Sequence, residues 1–212
     1  YKQTQKAERY LDDGIYRIAT KLNNSLGFDI QDGSTQNGAN IQLWQYVAKA
    51  QEEFKVQYEN GYYYIISQLS DKVLRVGQNN LIEQQDKNES NDLQKWRVIP
   101  DGTGAYNIVN KANGLYMDVK DALYQNGNKI QATTSNGNIA QLFQFMDVSI
   151  LIDENKYPGI KEMVYELKNK HPNWQFEVLY TGINFYTAVQ GEYEYYSVDR
   201  YGNKHPANLV DT

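Results

Sequence analysis

Few residues of this chain could do covalent chemistry. There are no cysteines, which removes thiolate catalysis, disulfide staples and sulfur-ligated metal sites. The two histidines, His171 and His205, each precede a proline and have no neighbouring ligands, so no metal site is expected. There is no phosphate-binding glycine loop, no Gly-x-Ser-x-Gly elbow and no paired-carboxylate arrangement. What does recur is an aspartate before a branched aliphatic residue, in Asp29-Ile30 and Asp118-Val119, followed by Gln42-Leu-Trp44 and Gln131-Ala-Thr133. Between the two stands Arg75-Val76. A carboxylate accepts hydrogen bonds, an amide donates and accepts, and an indole offers a flat apolar face. A guanidinium cannot accept.

The elements that must position these residues come in three copies. The phrases Gly14-Ile-Tyr16-Arg-Ile18, Gly61-Tyr-Tyr63-Tyr-Ile65 and Gly104-Ala-Tyr106-Asn-Ile108 open three units at near-equal intervals, and Glu52-Glu-Phe54, Gln94-Lys-Trp96 and Gln141-Leu-Phe143 close them. A fixed period in this range is the mark of a repeat architecture. Short alternating runs such as Tyr16-Arg-Ile18, Phe28-Asp-Ile30 and Ile41-Gln-Leu43 lie between Asn, Gly, Asp and Ser clusters, which reads as strands and turns. Three units of about four strands, without intervening helix, predict a mainly β fold, a β-trefoil. Phe54, Trp96 and Phe143 are then core residues.

Residues 1–12 read as a linker, 13–148 as the trefoil, and 149–212 as a small α/β extension. In that extension Pro158 fits a first helical turn, and Ile160, Met163, Val164 and Leu167 share one helical face. Trp174, Phe176 and Val178 alternate as in a strand, and Asn184 is placed to cap a short helix through Val189.

Composition narrows the partners. The formal net charge of −5 and pI near 5.1 argue against general affinity for nucleic acid or anionic membrane. No apolar run is long enough to span a bilayer, so no membrane insertion is expected. Tyr1-Lys-Gln-Thr-Gln-Lys has no apolar stretch behind it and is not a signal peptide; the start reads as a processed terminus or a cut from a longer protein. The 19 tyrosines suit either a binding surface or ordinary sheet packing.

On the threefold repeat, the Gln94-Lys-Trp96 and Gln141-Leu-Phe143 closers, the two Asp-aliphatic pairs and the phrase Asn60-Gly-Tyr-Tyr-Tyr-Ile-Ile-Ser67, the 13–148 region resembles a ricin-B-type lectin domain. Glu52 departs from the glutamine of the closing motif. The resemblance implies one shallow sugar site per unit, with a carboxylate accepting from two pyranose hydroxyls, an aromatic ring on the C–H face, and an amide on the remaining hydroxyls. Carried onto this sequence, it implies Asp29, Gln42, Trp44 and Gln51 in the first repeat. In the third it implies Asp118 and Gln131, with Thr133 in the place of Trp44 and a stacking platform only if Tyr124 supplies one. The second repeat, with Arg75, is expected to be silent. The loop Gln36–Asn40 is expected to set the strand carrying Gln42 and Trp44.

The tail phrases Tyr157-Pro-Gly-Ile-Lys, His171-Pro-Asn-Trp174-Gln-Phe176 and Thr181-Gly-Ile-Asn-Phe185-Tyr-Thr-Ala-Val189 resemble the opening of bacterial cell-wall N-acetylglucosaminidases, the autolysins that cut peptidoglycan. That resemblance implies a secreted, cell-wall-associated parent enzyme. Its catalytic residues would lie beyond this stretch, so this chain is expected to bind glycan without hydrolysing it and without a cofactor; Glu192 and Glu194 match no catalytic motif. Two alternatives stay open: a spacer or protein-interaction trefoil without sugar binding, and a glycosidase site near the C-terminal segment.

Overall fold

The structure, a computed structural model, describes residues 9–148 and, in the C-terminal part, 176–181, 184–189, 196–198 and 204–206. The chain divides into two compact units, Tyr1–Ser149 and Ile150–Thr212.

Each repeat of the first unit folds into four short strands. The first contributes β1 (Gly14–Thr20), β2 (Leu26–Ile30), β3 (Ile41–Gln45) and β4 (Phe54–Glu59). The second contributes β5 (Tyr62–Ser67), β6 (Val73–Val76), β7 (Ile82–Gln85) and β8 (Trp96–Pro100). The third contributes β9 (Tyr106–Asn110), β10 (Tyr116–Val119), β11 (Ile130–Thr133) and β12 (Phe143–Asp147). The outer two strands of each repeat close a six-stranded antiparallel barrel in the order β1-β4-β5-β8-β9-β12 and back to β1. Closure leaves the barrel no edge strand. The inner two strands form the hairpins β2–β3, β6–β7 and β10–β11, joined by the bridges Asn40–Glu83, Gln42–Lys129 and Leu81–Gln131. This is a β-trefoil, as the repeats predict.

Alternation along the strands fills the core. Ile18, Ile65 and Ile108 from the opening phrases and Phe54, Trp96 and Phe143 from the closers are all fully buried. Phe28 packs edge-on against Phe54 and Phe143, and the Trp96 indole donates to the Leu74 carbonyl at 3.0 Å.

The polar residue of each closer holds a loop. Gln94 and Gln141 each take one backbone N–H and one carbonyl: Asn88 and Asp86 for Gln94, Asn136 and Thr134 for Gln141. Glu52 instead accepts from two backbone N–H groups, those of Val47 and Lys49, at 2.9 and 3.0 Å. The departure from glutamine therefore matches a loop that presents two donors.

The expected linker ends as a strap. The backbone N–H groups of Tyr10 and Leu11 both donate to the Tyr63 hydroxyl at 2.8 and 2.9 Å, and the Leu11 side chain is buried in the core cluster.

In the second unit β13 (Phe176–Thr181), β14 (Asn184–Val189), β15 (Tyr196–Val198) and β16 (Lys204–Pro206) form an antiparallel sheet. The strand expected around Phe176 is present. The helix expected from Asn184 to Val189 is not: those residues pair with β13 from Thr181–Asn184 to Phe176–Val189. Phe185, Tyr186, Thr187 and Val189 are aromatic or β-branched, and such residues fit a pleated surface better than a helix. The helix expected after Pro158, and Glu192 and Glu194, lie outside the described residues.

Candidate functional site

Antiparallel register assembles the first-repeat group. Asp29 stands opposite Gln42, and two residues earlier Gly27 stands opposite Trp44. Phe28, Ile30, Ile41 and Leu43 point into the core, so Asp29, Gln42 and Trp44 share the outer face of the β2–β3 hairpin. Gln51, from the 3₁₀ turn Ala50–Glu52, reaches the same carboxylate. Gln42 Nε2 donates to Asp29 Oδ1 and Gln51 Nε2 to Oδ2, both at 2.9 Å. The four sequence-predicted residues are thus brought to one place. Trp44 is 41% exposed, whereas Asp29 is only 2% exposed. The carboxylate lies beneath its two amides.

Burial pushes the Asp29 carboxyl above its ordinary range; the Gln42 and Gln51 hydrogen bonds pull it down, Glu52 pushes it up and Lys49 pulls it down. A hydrogen bond to a charged group contributes about 1.5–3 kcal/mol, while taking a carboxylate out of water costs several. Burial wins. Two glycines near this group are held by close approach. A Cβ on Gly27 would stand 2.9 Å from the Ile18 carbonyl oxygen, and one on Gly33, at φ +59°, would stand 2.8 Å from Gln51 Oε1. Gly33 therefore leaves the space in which Gln51 lies.

The Gln36–Asn40 loop closes its own hairpin, the Gln31 N–H donating to the Asn40 carbonyl at 3.0 Å, and reaches beyond it. Asn37, in the Gln36–Asn40 loop, exchanges two hydrogen bonds with Asp86 of the second repeat. The strand carrying Trp44 is also braced by the third repeat's loop, through Asn126 Oδ1 accepting from the Gln45 N–H, the Gly127 N–H donating to the Leu43 carbonyl, and the Leu43 N–H donating to the Asn128 carbonyl.

In the third repeat Asp118 stands opposite Gln131, and Gln131 Nε2 donates to Asp118 Oδ1 at 3.0 Å. Asp118 is 5% exposed. Ala140 takes the place of Gln51, so the second amide is absent. Two residues before the acid, Tyr116 stands opposite Thr133. Sequence reasoning missed Tyr116, because only the register shows it opposite the residue in Trp44's place. Tyr124 belongs to the loop before β11, not to either strand.

The second repeat inverts the chemistry. Arg75 stands opposite Glu83 and donates to its Oε1 from both Nε and Nη2, at 2.9 and 2.7 Å. Gly77 makes room for this pair, since a Cβ there would stand 2.1 Å from Glu83 Oε2. The repeat keeps a carboxylate, one strand over, closed by its own cation. Among the described residues no group of three or more His, Cys, Asp or Glu is placed to hold a metal ion.

Comparison with known proteins agrees with the topology. A designed threefold-symmetric protein, ThreeFoil, superposes with a TM-score of 0.60 at 24% identity, over 64% of this chain and 100% of its own. The C-half of the earthworm R-type lectin, solved with GalNAc, gives 0.53 at 20% identity, over 62% and 97%. An exo-beta-1,3-galactanase from Clostridium thermocellum gives 0.58 at 23% identity, over 63% of this chain but only 30% of the enzyme. No curated protein matches the chain. The family model described as "Ricin-type beta-trefoil lectin domain-like" matches residues 50–133 and 92–191. With four strands per repeat, a closed barrel and this match over more than half its length, the chain belongs to the ricin-type beta-trefoil lectin domain-like family.

Proposed function

We propose that the trefoil is a carbohydrate-binding module whose main site is the outer face of the β2–β3 hairpin. The observation that carries this is the convergence of Asp29, Gln42 and Gln51 beside the exposed Trp44. A pyranose stacks its C–H face on the indole, and its hydroxyls donate to Asp29 in place of the Gln51 amide, which turns to the neighbouring hydroxyls. Free and bound states then both leave the carboxylate satisfied, which a buried charge requires. Asp118 and Gln131 offer the same pair of groups in the third repeat.

In the parent protein the module holds a secreted cell-wall glycan hydrolase on its substrate or on the cell surface. Support for this part is the likeness of the tail phrases to peptidoglycan N-acetylglucosaminidases; a trefoil also occupies part of the galactanase chain above. A shallow site binds weakly, so retention comes from tethering and repeated sites. A second reading, a spacer or protein-interaction trefoil, draws on the burial of Asp29.

Glycan binding by wild type, Asp29→Asn and Trp44→Ala, on an array containing galactosides, N-acetylglucosamine oligomers and peptidoglycan fragments, decides between them. Asp29→Asn is expected to lose first-site binding. Trp44→Ala should weaken it about tenfold, the worth of one aromatic platform, with thermal stability unchanged. A folded wild type that binds none of these glycans would leave the spacer reading.

A further inference from the structure

We infer that Tyr116 is the stacking residue of a second carbohydrate site, in the third repeat, and that it gives this site a sugar preference different from that of the first. The inference rests on the carbohydrate-binding reading and extends it to a residue that the motif does not contain.

The observation is an exchange across a hairpin. In the first repeat the rung two residues before the aspartate pairs Gly27 with Trp44; in the third, the same rung pairs Tyr116 with Thr133. Each hairpin thus sets one ring against one small residue, but the ring has changed strand. In the second repeat this rung is Val73 with Gln85 and carries no ring, and there the next polar rung is the closed Arg75–Glu83 pair. A ring is therefore present on this rung where an aspartate and a glutamine stand beyond it, and absent where they do not.

Tyr116 is on the outer face. Met117 and Val119 are fully buried on the inner face, while Tyr116 is half-buried and shares its side of β10 with Asp118. Facing residues of an antiparallel pair lie about 4.5–5.5 Å apart, so the platform is displaced by about that distance, from the glutamine strand to the aspartate strand. A pyranose hydrogen-bonded to Asp118 and Gln131 must turn to lay a C–H face on it, presenting a different pair of hydroxyls to the carboxylate. The phenol also brings a hydroxyl that an indole lacks.

Amide-resolved NMR titration with methyl β-galactoside, N-acetylgalactosamine, N-acetylglucosamine and chitobiose tests this, in an Asp29→Asn background that silences the first repeat. Sugar-induced shifts are expected at Met117–Val119 and Gln131. Tyr116→Leu, which keeps an apolar side chain but removes the π face, should weaken that binding about tenfold. Tyr116→Gly with Thr133→Trp rebuilds the first repeat's arrangement. It should bind again, with the order of preference among the four sugars moved to that of the first site. Third-repeat binding unaffected by Tyr116→Leu would overturn the inference. So would the absence of third-repeat shifts in a wild type whose first repeat responds, with the carbohydrate reading left standing. No response anywhere would remove both.

Discussion

Asp29 combines burial with a proposed role that needs its charge, and pH separates the two. Its carboxyl is raised, chiefly by burial, and only the ionised form accepts from two hydroxyls. First-site affinity should therefore be steady near neutral pH and fall on acidification at a pH above that of an ordinary aspartate. Stability runs the other way. The folded state holds this proton more tightly than the unfolded chain, so the group's stabilising contribution is present in acid and lost as pH rises through the raised value. Asp29→Asn should flatten unfolding free energy across that window, read by denaturant melts at a series of pH values. An acid limb of binding at or below the ordinary aspartate range would count against the assignment. That Asp29, Gln42 and Gln51 meet was legible only through the resemblance to the lectin pattern. The depth of Asp29 was not, because it follows from the amides laid over it. Glu83 and Tyr116 were hidden for another reason: partners across a hairpin are fixed by register. The second hairpin's loop, 77–81, is half the length of loops 31–40 and 120–129, and Tyr116 lies on the strand facing the residue in Trp44's place rather than in that place.

The 3₁₀ turns that end each repeat couple loop to core. Glu52 satisfies two backbone donors while its neighbours Gln51 and Phe54 face Asp29 and the barrel centre. Glu52→Ala is expected to cost about 2–3 kcal/mol by leaving both donors unsatisfied. Glu52→Gln, whose amide oxygen can still accept from both, should cost less than about 1 kcal/mol. Midpoints of urea unfolding with unchanged slopes would check this, and equal costs for the two would show that the loop does not depend on the acceptor. The sequence marked this element by its departure from glutamine, although the reason lies in a loop whose donors no motif describes. The C-terminal β14 shows the opposite failure. Asn184 resembles a helix cap, but the aromatic and β-branched content of Phe185, Tyr186, Thr187 and Val189 is the stronger signal, and all six residues pair with β13.

At the scale of the molecule, the repeated aromatics and tyrosines were enough to predict a closed three-part barrel, because shared core positions permit few other arrangements. The braces between repeats were not predicted, since the first and third asparagine loops close their own hairpins and also reach the next one. The first loop ties the second repeat through Asn37 and Asp86, and the third ties the first through Asn126 and Gln45. The turn Gln78–Leu81 is too short to carry an asparagine across, and the seam between second and third repeats is spanned by the Leu81–Gln131 bridge. Although the β8–β9 ladder from Trp96–Asn110 to Pro100–Tyr106 joins the same two repeats, among the described residues the hairpin end of that seam has no asparagine brace. Openings too small to unfold the barrel should begin there, and amides of β7 and β11 should exchange with heavy water faster than those of β3. Equal protection at all three joints would show that the asparagines add nothing. The tie through Asn126, Gly127 and Asn128 fastens the third repeat's loop to the strand carrying Trp44, so a load placed on one of these hairpins is passed to the other.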